Sequence, residues 1–208
     1  MATVATPRIL GTKVPAFFPK SGPVTAIIYG EAPGPRGADK SGIPFFGDRS
    51  GLLVYRTLIA AGRCTLNADI DEVRWDGPAL VDAGVVPTLI GTALSNAYPV
   101  CPTDDGEKFR APTKAEMSSP ENVRRVKAEI AKARRRGLEA VIVLGRPSDW
   151  LLGLHLGLRE DETIAYSQIS HPSPLGLLWL KRQGGKDVRM ADVQRTWMRR
   201  FRKMLPKQ

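Results

Sequence analysis

The stretch Val24 to Gly51, VTAIIYGEAPGPRGADKSGIPFFGDRSG, constrains this chain most. It opens on a short apolar run, Val24 to Tyr29, whose Val, Thr, Ile and Tyr read as a buried strand. A long turn follows, with five glycines from Gly30 to Gly47 inclusive. An apolar, helix-like segment, Leu52 to Ala61, comes after it. Glycine reaches backbone angles that other residues avoid and lets a ligand approach the main chain. Two carboxylates, Glu31 and Asp48, and two rings, Phe45 and Phe46, sit in or beside the turn. A strand entering such a turn suits a binding site at the carboxyl edge of a sheet. An ordinary Gly/Pro-rich connection has the same composition. No GK[ST] closes the turn as in a phosphate loop, and GxGxxG, the dinucleotide fingerprint, does not occur there.

Three more apolar runs read as strands: Thr88 to Ala97, Ala140 to Leu144 and Ile164 to Ile169. Between them lie helical patterns. Ser50 to Gly62 carries Leu52, Leu53, Tyr55, Leu58 and Ile59 on one side. A second helix has Ser119 as cap, Pro120 at its first position, Val123, Val126, Ile130 and Ala133 as its buried stripe, and Gly137 as its stop. A short helix is expected around Trp150 to Leu154. An amphipathic tail runs from Asp187 to Leu205, with Val193, Trp197, Phe201 and Leu205 on one face. Met1 to Pro23 is a surface lead-in pinned by Phe17 and Phe18. Asn67 to Pro87 reads as a loop around Trp75 with Gly77-Pro78 as a turn, and His171 to Gly176 as a second motif loop. This alternation predicts an α/β fold, a three-layer αβα sandwich with a central, mostly parallel four-stranded sheet. Residues 1–208 are expected to form a single domain, a length suited to one sizeable core.

No apolar run approaches the roughly 18 residues of a membrane span, and no secretory signal pattern opens the chain. A cytoplasmic, monomeric protein without membrane contact is expected. Two cysteines, Cys64 and Cys101, cannot build a disulfide framework. No metal or cofactor is expected, because ligand-spaced His and Cys are lacking. The formal charge is +10, and Lys181 to Gln208 holds ten Lys or Arg against two Asp. Such a face attracts polyanions, although a solvated basic helix has the same composition. Arg134 to Arg136 complement a helix dipole and do not by themselves require a nucleic acid.

Three motifs, the first with a long continuation, resemble the uracil-DNA glycosylase superfamily. Gly30-Glu31-Ala32-Pro33-Gly34 is similar to the GxxPx motif of family 4. GADKSGIPFFGDRSG is similar to family 5, with its GDRSG element after an aromatic. His171-Pro172-Ser173-Pro174-Leu175 is similar to the HPS motif of family 1. Leu94-Ser95-Asn96-Ala97 resembles the strand whose Asn faces the base. The motifs stand in the family's order between Val24 and Gly176.

The resemblance implies hydrolysis of the N-glycosidic bond of uracil in DNA. The reaction needs a base flipped out of the duplex, a carboxylate near C1′ to position water, and a donor to the departing uracil anion. His171 takes the donor's place, and His155, in LLGLHLGL, reads as structural. Glu31 and Asp48 compete for the water, with Glu31 slightly ahead; Asp48 also stands where an N-cap would. Gly30, Ala32, Phe45 and Asn96 are implied to bind uracil, Phe45 by stacking and Asn96 by its amide, with Phe46 the core ring. Arg49, Ser173, Pro174, Leu175 and Gly176 are implied to grip DNA, Leu175 filling the space left by the flipped base. Gly34 replaces the Tyr of family 1 that blocks thymine's methyl group, which points to a wider pocket. Families 4 and 5 carry a four-cysteine iron–sulfur cluster whose ligands this chain lacks. The expected partners are DNA containing uracil or abasic sites, with free uracil as product. The alternatives are a relative that binds abasic or damaged DNA, a glycosylase also taking hypoxanthine or mismatched thymine, and an unrelated hydrolase or nucleotide-binding α/β protein.

Overall fold

A computed structural model describes residues 8–184 and 188–207. The start of the lead-in (residues 1–7) and the expected start of the tail helix at Asp187 lie outside the described residues. The elements in chain order are β1 (Ala26–Gly30), α1 (Ala38–Ser41), α2 (Arg49–Ala60), β2 (Cys64–Leu66), α3 (Gly77–Asp82), β3 (Pro87–Leu89) and β4 (Thr92–Asn96). They continue with α4 (Lys114–Met117), α5 (Pro120–Arg134), β5 (Ala140–Leu144), α6 (Arg146–Asp149), a π-helical turn (Trp150–His155), β6 (Ala165–Ile169), α7 (Pro174–Gly184) and α8 (Met190–Met204).

Four strands form the central sheet in the order β4-β1-β5-β6, and every pairing is parallel. β1, β4 and β5 are buried throughout, as a sheet covered on both faces requires. Alternate residues feed two cores. Ile28, Ile142 and Leu144 pack with residues of α2, α7 and α8; Ile27, Tyr29, Val141 and Val143 pack with α5 and the π-helical turn. The result is the expected three-layer α/β sandwich. Ser119 caps α5 by accepting from Asn122 N–H, Pro120 opens it, and Val126, Ile130 and Ala133 are buried. On α8, Val193, Trp197 and Phe201 are buried, as the tail's periodicity requires.

Several local expectations are corrected. The run Thr88 to Ala97 is two strands broken at Gly91, whose φ is +61°; β3 pairs antiparallel with β2, and β4 alone joins the main sheet. Gly77-Pro78 is not a turn but the start of α3, whose cap is Asp76, accepting from Ala79 N–H at 2.9 Å. The second motif loop ends early, because Pro174, Leu175 and Gly176 already form the first turn of α7. Proline suits that position, where its missing N–H costs no hydrogen bond. Among the described residues no helix is long and apolar enough to cross a membrane.

Candidate active site

The carboxyl ends of β1, β4, β5 and β6 lie side by side, because all four strands run the same way. Gly30 and Asn96 are directly paired at the ends of β1 and β4. Gly145 follows β5, and its N–H donates to the carbonyl of Ile169, the last residue of β6. Glu31, Asn96 and His171, distant in sequence, therefore meet at one edge.

A cleft of about 420 Å³ opens there. Glu31, Ala32, Phe45, Asp48 and Arg49 line one part of it, and His171, Ser173, Pro174 and Leu175 another. Asn96 sits beneath. A methyl group on Gly30 would lie 2.6 Å from Phe45 Cε1 and 2.7 Å from Asn96 Oδ1. The bare glycine thus lets ring and amide close on the same face of the strand end. Asn96 is buried, and its Nδ2 has no hydrogen-bond partner among the described residues. Leaving such a donor unpaired costs about 1–3 kcal/mol, so a fold keeps one only for a reason. Gly176 lines a neighbouring cleft with Glu31 and His171.

The loop carrying Phe45 is held from behind. Tyr55 O–H donates to Pro44 C=O at 3.1 Å, and Trp75 Nε1–H to Asp48 C=O at 2.8 Å. Phe46 packs edge-on to both rings, the core role expected of it. Phe45 itself has φ +65°, uncommon for a bulky residue.

Asp48 occupies the N-cap position of α2, but its side chain does not cap that helix. Its Oδ2 turns the other way and accepts from Gly34 N–H at 3.1 Å and Ala38 N–H at 3.2 Å. A methyl on Gly34 would lie 2.1 Å from Asp48 Oδ1. The space next to Gly34 is therefore filled by this carboxylate, not left open. Burial pushes Asp48 up to about 6, against the pull of its backbone donors. Burial also raises Glu31. Unlike Asp48, the Glu31 carboxylate has no hydrogen-bond partner among the described residues. Burial lowers His171 to about 4, so its imidazole is neutral near pH 7. His155 is exposed and stacks on Trp150.

Sequence reasoning missed the polar support under Asn96. Arg125 donates to Asn96 C=O at 2.9 Å and Ala97 C=O at 3.0 Å, and pairs with Glu129 at 2.6 Å. Glu129 in turn accepts from Tyr29 O–H at 2.9 Å and Ser95 O–H at 2.8 Å. The only signal in the sequence was an Arg and a Glu four residues apart, which usually marks a solvated helix face. Phe109, half-exposed on the rim beside Ala111, was also missed.

A four-cysteine cluster does not fit this chain. It has two cysteines, and burial pushes both thiols up to about 12, so neither is a ready thiolate ligand. The lead-in is tied to α1 and to the segment after β4. Ile9 N–H donates to Gly106 C=O and Val14 N–H to Pro99 C=O, both at 2.8 Å. Leu10 and Gly11 N–H donate to the buried Asp39 carboxylate at 2.8 and 2.9 Å.

No protein-family model matches the chain. No curated protein matches it. Among solved structures, the crystal structure of wild-type SMUG2 from Pedobacter heparinus aligns with a TM-score of 0.46 at 13% identity, covering 87% of this chain and 76% of that chain. That likeness is too slight to bear on the chemistry.

Proposed function

We propose that the protein is a single-domain, monomeric DNA glycosylase that hydrolyses the N-glycosidic bond of uracil in DNA, in base excision repair. The observation that carries this reading is the buried, unpartnered amide of Asn96 beside Phe45, beneath a cleft holding two carboxylates and a neutral histidine. Uracil presents an acceptor at O4 and a donor at N3. The Asn96 amide offers the complementary donor and acceptor, and the Phe45 ring a face to stack on.

Each group then has one task. Glu31, whose carboxylate is unengaged, positions and activates water near C1′ and faces the positive charge that develops there. Asp48 latches the Gly34–Ala38 loop and adds a second negative charge. His171, neutral and desolvated, donates its N–H to O2 of the departing anion without giving up the proton. Ala32 and Gly30 leave room for the base. Arg49, Ser173, Pro174, Leu175 and Gly176 form the DNA-facing rim. Leu175 is 80% exposed on the first turn of α7, as a side chain meant to enter the duplex would be.

Single-turnover release of uracil from a labelled oligonucleotide tests the assignment. Glu31→Gln is expected to slow release at least 100-fold, and Asp48→Asn about tenfold or more. Full rates in both variants would remove the carboxylates from the mechanism. A protein that binds abasic DNA tightly yet releases no base would be the binding relative instead.

A further inference from the structure

The four tryptophans of the chain are not equivalent. Trp75 donates to Asp48 C=O, Trp197 donates to Ser170 C=O, and Trp150 stacks on His155. Trp179 has neither a hydrogen-bond partner nor a ring partner among the described residues, and it is 49% exposed. It stands one helical turn after Leu175 on α7. It lines a second cleft of about 510 Å³, which shares Glu31 and His171 with the reaction cleft. Arg146, exposed at the end of β5, lines the same cleft. No ion pair or hydrogen bond engages its guanidinium among the described residues, whereas Arg110, Arg125, Arg134 and Arg159 are all paired with carboxylates.

An unshielded indole and an unpaired guanidinium around one cleft are the two parts of a site for an unpaired nucleotide: a stacking surface for the base and a cation for the phosphate. We propose that Trp179 and Arg146 form a second nucleotide subsite, which takes the unpaired nucleotide next to the one in the reaction cleft. Resting on the glycosylase reading, the subsite predicts that the enzyme favours substrates whose neighbouring nucleotide is free to unstack, single strands above all.

The test uses the full chain and single-stranded oligonucleotides carrying one uracil. The nucleotide on its 5′ or its 3′ side is either natural or replaced by a spacer that lacks a base. Trp179→Ala is expected to weaken binding between about 5- and 100-fold on the natural strand. On the strand with the matching spacer, wild type and variant bind alike, and Trp179→Phe keeps most of the affinity on both. Thermal unfolding of Trp179→Ala is expected to match wild type, since the ring is half-exposed. Equal loss on natural and spacer strands, or no loss on either, would overturn the subsite. Base release measured in the same samples keeps the two readings separate. Release with a spacer-independent loss removes the subsite alone. Spacer-dependent binding without release removes the glycosylase reading alone.

Discussion

At the scale of single residues, two groups that cost this fold stability, Asp48 and Asn96, are ones assigned to its chemistry, whereas the buried Thr92 hydroxyl, also unpartnered among the described residues, is not. Asp48 ordinarily titrates near 3.8 and is pushed up to about 6 by burial. The folded protein therefore holds this proton more tightly than the unfolded chain between those two values. Its contribution to stability is full below about pH 4 and lost as pH rises through about 6, leaving a charged group whose burial costs about 3 kcal/mol at most. Asp48→Asn imitates the protonated form, and its Oδ1 can still accept from Gly34 and Ala38 N–H. The variant is expected to melt higher than wild type at pH 8, to match it near pH 4, and to lose activity throughout. Wild-type base release should fall below about pH 6, where Asp48 protonates; His171, at about 4, stays neutral across that limb. An acid limb that persists unchanged in Asp48→Asn would assign it to Glu31. Asn96 follows the same logic. Asn96→Leu removes an unpaired buried donor, so calorimetry should find its stability unchanged or raised while uracil release is abolished.

At the scale of elements, α5 holds the end of β4 through Arg125, and that is a test of positioning. Arg125→Met leaves Glu129 without its cation and is expected to cost about 2–4 kcal/mol, somewhat under a fully buried pair because the guanidinium is partly exposed. Arg125→Lys keeps the charge but cannot reach Glu129 and both carbonyls at once. It should keep most of the stability, hold substrate nearly as well, and lose about tenfold or more in single-turnover rate. Lost stability with an unchanged rate would make Arg125 a purely structural residue. This support shows where sequence reading stops. β1, β5, α2, α5 and α8 were legible because apolar periodicity and caps are local signals. Arg125 was not, because what distinguishes a network arginine from a solvated one is the backbone it meets across the fold. The split at Gly91 was likewise hidden, since a run of Thr, Leu and Ile reads as strand in either sheet. That Glu31, Phe45, Asn96 and His171 converge at one sheet edge was legible from motif order, but the reversed Asp48 side chain was not. Its position invites a helix cap, and the N–H groups of Gly34 and Ala38, brought close by the bare Gly34, draw it away.

For the whole molecule, charge is arranged differently from its distribution along the sequence. Much of the basic tail does not face the cleft. α8 begins near Pro172 and Pro174, where Met190 and Gln194 share a groove with Arg49. It ends beside Arg63, which bonds Pro206 C=O and Gly91 C=O at the amino ends of the strands. A helix of 15 residues spans about 22 Å, more than two Debye lengths at physiological salt. Arg134 pairs with Asp161, and Arg136 donates to Pro19 and Gly22 carbonyls, so those two are engaged within the fold. Arg36, Arg49 and Arg146 stand at the cleft mouths without ion pairs among the described residues, and on the glycosylase reading they are the cations expected to meet phosphates. Binding of single-stranded DNA should weaken with salt, and each of these three replaced by Gln should reduce the slope of log affinity against log salt by about 0.7. Arg202→Gln with Lys203→Gln should leave it unchanged.

The central claim is that this cleft removes uracil from DNA. Its most direct test is to incubate the protein with oligonucleotides carrying one uracil, one hypoxanthine or one mismatched thymine, and to identify the released base and the abasic strand by mass spectrometry. The geometry predicts free uracil and an intact strand bearing one abasic site, with release reduced at least 100-fold in His171→Ala and abolished in Asn96→Leu. An uncleaved uracil strand, or release that survives both substitutions, would contradict it.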